Sequence, residues 1–289
     1  MTAGLPLEQE MSLGCSSISF RELPIERALE RIRCLGFRTV DIGAMPGFCE
    51  HYLPGVAQHA DRERLVAAVQ RLALDVATIN ADLAPPDGRQ PAVEALRDLL
   101  DLAARLGAAG VCVACGRPAG REELPAAMRA LAAEVRTMAA MAEGVGLRLF
   151  VEAPHYYRLC NSLPLALQLF ELVDHDNAWF TLDTSHVRAA GDDVVGAVAT
   201  CGERLGHVHL RDARDGEIAL PPGAGEVDFG GFFRALKAVH YSGALVVELE
   251  VGETTSERKA DLLRISREHL NGLWVGSTAV APDPSEGAP

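Results

Sequence analysis

Four residues able to bind a cation or move a proton stand at the ends of apolar runs. Glu152 lies in LRLFVEA, Asp183 in AWFTLDT, His209 in LGHVHLRD and Glu248 in ALVVELE. Three carboxylates brought to one place repel one another and take up protons unless a divalent ion sits among them. Three oxygen donors and one imidazole suit Mn²⁺ first, with Mg²⁺ or Co²⁺ as substitutes, rather than a sulfur-loving zinc site. Taken singly, each residue reads as a strand cap or the partner of an arginine. The stretch AWFTLDTSHVR keeps both readings open, because Asp183 and His186 could be two ligands or a strand followed by a capped turn.

Whether the four meet depends on the elements that carry them. Apolar runs of strand length recur at 12 to 17, 39 to 44, 75 to 82, 110 to 116, 147 to 153, 178 to 184, 205 to 212 and 244 to 250. Amphipathic patterns fill the gaps: Pro24 opens and Gly36 closes PIERALERIRCLG, and Pro91 opens and Gly107 closes the next clear case. The alanine-rich LPAAMRALAAEVRTMAAMAEGVG reads as the longest helix. Strands alternating with helices form parallel sheets, and eight such units over about 270 residues predict a closed (β/α)₈ TIM barrel. A doubly wound open sheet would place a glycine-rich fingerprint after an early strand, and none is there. The barrel is assigned to 1–275 as a single domain, with 276–289, rich in small residues and proline, as a flexible tail. In such barrels the C-terminal strand ends share one mouth, and four candidate ligands on consecutive strands there favour the metal reading over four unrelated caps.

Composition narrows the function classes. The 289 residues carry a formal charge of −13, which disfavours the clustered cations that nucleic-acid phosphates require. No apolar stretch approaches membrane-spanning length and no basic-then-apolar leader opens the chain, so a cytoplasmic protein is expected. Seven scattered cysteines are not a disulfide framework; Cys112 and Cys115 have redox spacing but lie along a strand, which predicts structural thiols.

FVEAPH, TLDTSH, GHVHLRD and GEVDFGGFFRALKAVHYSGALVVELE together resemble the xylose isomerase-like family of sugar epimerases and isomerases, over most of the chain. The resemblance implies that Glu152, Asp183, His209 and Glu248 bind one divalent ion. It also implies that Glu152 and Glu248 are the catalytic pair, moving a proton beside a sugar carbonyl through an enediolate on metal-bound substrate. His186 would touch substrate rather than metal. The family's endonuclease branch adds histidines from the second and third strands, whereas these end here in IGAMPG and INADLAPP.

Beyond Glu152 the stretch PHYYR differs from that of the ketose epimerases, which leaves the substrate open. His155 and Arg158, with Arg188, Arg211 and Arg214, could gather cations around a carboxylate or phosphate; alternatively these arginines pair with Asp212, Asp215 or Glu217. His207 shares a face with His209 and reads as a barrel-interior histidine, with support of that ligand as the alternative; His51 and Tyr52 are weak candidates for a substrate lid. The expected activity is a metal-dependent sugar isomerase or epimerase, with a homo-oligomer as an open assembly state and no nucleic-acid or membrane partner. A dehydratase of an inosose or cyclic keto-acid is the runner-up. A barrel serving as a non-catalytic subunit is the alternative of another class.

Overall fold

The computed structural model describes residues 11–83 and 92–277. Eight parallel strands close into a barrel: β1 (Leu13–Ser16), β2 (Thr39–Ala44), β3 (Asp75–Ala81), β4 (Gly110–Ala114), β5 (Arg148–Glu152), β6 (Ala178–Asp183), β7 (Leu205–Leu210) and, after a hairpin of β8 (Asp212–Arg214) and β9 (Glu217–Leu220), β10 (Ala244–Val247). Strands β1 to β7 follow one another around the wall, and β10 closes it between β7 and β1. The helices are α1 (Ile25–Cys34), α2 (His59–Arg71), α3 (Ala92–Leu106), α4 (Leu124–Glu143), α5 (Leu163–Val173), α6 (Thr184–Ala189), α7 (Val194–Cys201), α8 (Phe229–Ala238) and α9 (Ser256–Gly276). Each expected run contains one barrel strand, and the fold is the expected TIM barrel.

The helices cover the barrel because their apolar residues recur on one face. In α1 the buried set is Ala28, Leu29 and Ile32, a spacing of three and four that lines one stripe. Fully burying Leu29 or Ile32 contributes about 1.5–3 kcal/mol each. The ring of Phe170 on α5 stacks on Phe180 of β6 with centroids 3.5 Å apart, which seats the strand that ends in Asp183. Pro24 stands at the N-cap of α1 and Gly36 beyond its end with φ +87°, as the punctuation predicted. Among the described residues the longest helix is α9, at 21 residues against 20 for α4, which corrects the expectation for the alanine-rich segment. Pro91 and the tail beyond 277 lie outside the described residues.

Two register irregularities shape the interior. Pairing of β6 with β7 slips between Phe180 and Thr181, where β7 gains one residue, Gly206; a Cβ there would meet Phe150 at 2.8 Å. After that bulge Asp183 and His209 become direct register partners. On the other side of β7, His209 pairs with Val246, so the chain of β10 passes it two residues before Glu248. No helix among the described residues is long and apolar enough to cross a membrane.

Candidate active site

Glu152, Asp183, His209 and Glu248 each offer one ligand atom, and these atoms lie within 4.8 Å of one another. All four are buried. They come from β5, β6, β7 and the residue just past β10, so the barrel joins residues up to 96 positions apart in sequence.

Asp183 answers the question its sequence raised, because it caps the turn and faces the cluster at once. One oxygen, Oδ1, accepts from the backbone amides of Ser185 at 2.7 Å and His186 at 3.1 Å, and from Ser185 Oγ at 2.6 Å, as the N-cap of α6. The other, Oδ2, is buried without any hydrogen bond. An orphaned carboxylate oxygen is costly unless a cation meets it. Arg211 Nε lies 3.6 Å away, close enough to attract but not to bond.

His209 is held from both sides. Its Nδ1 is 3.0 Å from Glu152 Oε1 and its Nε2 is 3.2 Å from Asp41 Oδ2. Carboxylates only accept, so both ring nitrogens must carry hydrogen when no metal is bound. Burial opposes that charge, but Glu248, Asp41 and Glu152 around the ring raise its pKa well above the usual histidine range. Glu152 is driven the opposite way: burial raises its pKa, yet the His209 hydrogen bond and the neighbouring His155 outweigh it and hold the carboxyl below its ordinary value. Glu248 is pushed up to about 8 by burial, with Glu250 adding repulsion against the pull of His209 and Arg211. A divalent ion relieves all three conditions, supplying charge to Glu248, displacing the proton on Nδ1 and meeting Asp183 Oδ2. The donor set therefore fits a hard divalent cation.

Arg211 is the second organising residue, buried to 2% exposure on the segment between β7 and β8. Its Nη1 stands 3.3 Å from Glu248 Oε1 and 3.0 Å from Glu250 Oε2, and its Nε donates to Ser185 Oγ at 2.9 Å. The expected substrate contact is thus also a structural clamp on three carboxylates.

Above the cluster lies a cavity of about 370 Å³ lined by Glu152, His155, Arg158, His186, Arg211 and Glu248 together with Met45, Phe48, Tyr157, Ile218 and Glu250. His186 Nδ1 accepts the Tyr156 amide at 3.2 Å, and burial lowers its pKa and keeps the ring neutral. Its Nε2 then carries the hydrogen and faces Arg211 Nη2, also a donor, at 3.4 Å, so this N–H has no acceptor there and is available to a ligand oxygen. Arg158 pairs with Asp82 at 2.6 Å across the mouth.

The remaining candidates fall elsewhere. Arg214 is exposed on the β8–β9 hairpin opposite Glu217 and does not line the cavity, and Arg188 pairs with Glu226. Neither joins the cluster of cations expected around an anion. His51 is buried against Ser17 Oγ and the Leu23 carbonyl, and Tyr52 donates to Asp98, so this pair is packed into the structure instead of forming a lid. Cys112 and Cys115 are buried thiols whose pKa burial raises. Sequence reasoning passed over two residues. Asn80 on β3 reaches Glu248 Oε2 at 3.4 Å, and Asp41 on β2 holds both strand-7 histidines; a charged residue inside TVDIGA was the available signal for the second.

Comparison with known proteins bears on the fold and the family. The family model for the xylose isomerase-like TIM barrel matches residues 29–271. A ketose 3-epimerase of Arthrobacter globiformis is 29% identical over 279 residues, 92% of this chain and 91% of that protein. An L-ribulose 3-epimerase of a Methylomonas species (strain DH-1) is 28% identical over 193 residues, and the match spans 65% of each chain, just under two thirds of that relative's length. The solved D-psicose 3-epimerase of Clostridium cellulolyticum H10, with D-tagatose, shares the fold with a TM-score of 0.73 at 20% identity, over 91% of this chain and 99% of that one.

Proposed function

Because the chain belongs to the xylose isomerase-like TIM-barrel family, we propose that it is a divalent-cation-dependent sugar epimerase or isomerase that moves a proton next to a carbonyl. The observation that carries this reading is the buried quartet of Glu152, Asp183, His209 and Glu248, with ligand atoms within 4.8 Å, beneath a cavity of about 370 Å³. Mn²⁺ suits three carboxylates and an imidazole best, with Mg²⁺ and Co²⁺ as substitutes. When bound, the ion polarises a substrate carbonyl and carries the negative charge that develops on its oxygen.

The protein's own groups do the rest. Glu152 and Glu248 both line the cavity beside the proposed cation position, where one would take a proton from the substrate and the other would return it. His186 directs its free Nε2–H at a substrate oxygen, and His155 stacks on it. Met45, Phe48 and Ile218 give the cavity an apolar wall.

The charge balance of the cavity supports an uncharged sugar as the substrate. Among the described residues both guanidiniums lining the cavity are already matched, Arg158 by Asp82 and Arg211 by Glu248 and Glu250, which favours an uncharged sugar over a phosphate or carboxylate. The names of the curated relatives point to a ketose. All seven cysteines are free thiols, which supports a reducing, cytoplasmic setting.

The test is a panel of ketoses and their phosphates incubated in deuterium oxide with the protein carrying one Mn²⁺ per chain. Deuterium should enter a free ketose beside its carbonyl, and Glu152→Gln and Glu248→Gln should each slow exchange by about 10²–10⁴-fold. Loss of water to give an absorbing enone would instead make the protein a dehydratase. No exchange with any sugar, and ligand affinity unchanged by both substitutions, would make it a binding module.

A further inference from the structure

Asp41 is an acid in the middle of an apolar strand, and none of its surface is exposed. Such a group must have its charge answered within the fold. Pairing of β2 with β3 slips between Val40 and Ile42, where the partners jump from Val76 to Ile79. The bulge takes Thr78 out of the regular ladder, and Asp41 Oδ1 accepts the Thr78 amide at 3.0 Å. Its second oxygen turns into the barrel, 2.8 Å from His207 Nε2 and 3.2 Å from His209 Nε2.

This arrangement decides which nitrogen His209 can offer. Since the carboxylate only accepts, His209 Nε2 keeps its hydrogen and donates it downward. Nδ1 is left facing Glu152, whose Oε1 lies at 3.0 Å, and Glu152 belongs with Asp183, His209 and Glu248 to the quartet of ligand atoms within 4.8 Å. We infer that Asp41 is a positioning residue: by holding His209 Nε2–H it fixes the ring so that Nδ1 is the atom presented to the cation, while His207 anchors Asp41 from the side. This rests on the cation of the proposed function.

A rival use of the same residues is a second cation site, because the ligand atoms of Asp41, His207 and His209 also lie within 4.8 Å of one another. The distances argue against it. Both contacts to the carboxylate are already hydrogen bonds, and a second ion would require His209 to lose its hydrogens from both nitrogens.

The experiment uses Asp41→Asn. An asparagine that keeps its carbonyl oxygen on Thr78 N–H points its amide hydrogens at the histidines, so His209 Nε2 must accept and the one ring hydrogen of a neutral His209 is fixed on Nδ1, where it blocks the cation. Mn²⁺ binding, followed by electron paramagnetic resonance titration, should weaken by about 10–100-fold while one ion still binds the unsubstituted chain. Should the variant not fold, long-range ¹H–¹⁵N spectra of the unsubstituted, Mg²⁺-loaded protein decide: hydrogen on Nε2 and a bare Nδ1 in His209 are expected. Ligation through Nε2, two ions per chain, or unchanged affinity in folded Asp41→Asn overturns the positioning role. If the unsubstituted chain binds no divalent ion at all, the proposed function fails first.

Discussion

The imidazoles of His155 and His186 lie face to face, ring centroids 3.8 Å apart and planes 28° from parallel. Two protonated rings would repel at that distance, and burial, followed by His186, pushes the His155 pKa down to about 3. In the unfolded chain His155 takes a proton near pH 6.5, whereas the folded protein refuses it until about pH 3. The folded value is depressed, so this stabilisation is full above pH 6.5 and is lost as the pH falls toward 3. Urea unfolding at pH 7 and 4.5 should show His155→Phe losing less stability on acidification than the unsubstituted protein.

Glu248 has the opposite sign. With its folded pKa raised to about 8, the metal-free protein holds a proton that the unfolded chain has already released above pH 4.5. The contribution is present below pH 4.5 and lost as the pH rises to about 8. Cation uptake at pH 7 should therefore release protons, and affinity should tighten as pH rises to 8. Calorimetry in buffers of different ionisation enthalpy measures the release, which should shrink in Glu248→Gln.

Arg211 meets Asp183, Glu248 and Glu250 inside the barrel, so removing its charge leaves buried carboxylates unanswered. Arg211→Met should cost about 3–5 kcal/mol in the metal-free protein, with part of the loss recovered when Mn²⁺ binds. Chemical denaturation with and without the ion checks both halves. Recovery of nothing by the ion would mean that Arg211 and the cation do not share the same carboxylates.

Gly110 begins β4, where an added Cβ would fall 1.9 Å from the Arg148 carbonyl oxygen on β5. The close approach is backbone against backbone and cannot be relieved by a rotamer change. Gly110→Ala should destabilise the protein by about 3 kcal/mol or more, read as a lowered melting temperature. Gly252→Ala, which would meet nothing within 4 Å, serves as the matched control.

Much of the fold was legible because each barrel strand is buried on both faces and so reads as an unbroken apolar run. The quartet was legible for the same reason, since a charge at the end of such a run stands out. Asp41 did not stand out: it sits inside TVDIGA, and the bulge that frees Thr78 for it is a property of two strands together. The β8–β9 hairpin was missed although Asp215-Gly216 is a turn dipeptide, because its strands are three and four residues long. Arg211 and Arg214 look alike in LRDARD, yet strand direction buries one among carboxylates and exposes the other.

The closure of β1 onto β10 also sets an order of events during synthesis. β1 is the first barrel strand made, and one of its two edges is completed only by β10, the last. Until then both β1 and β7 present unpaired amides and carbonyls, the template on which chains stick to one another. The strand that ends this exposure is also the one that brings Glu248 beside His209. A chain that still lacks β10 cannot assemble the quartet, so the proposed cation site and the barrel wall are completed in the same step.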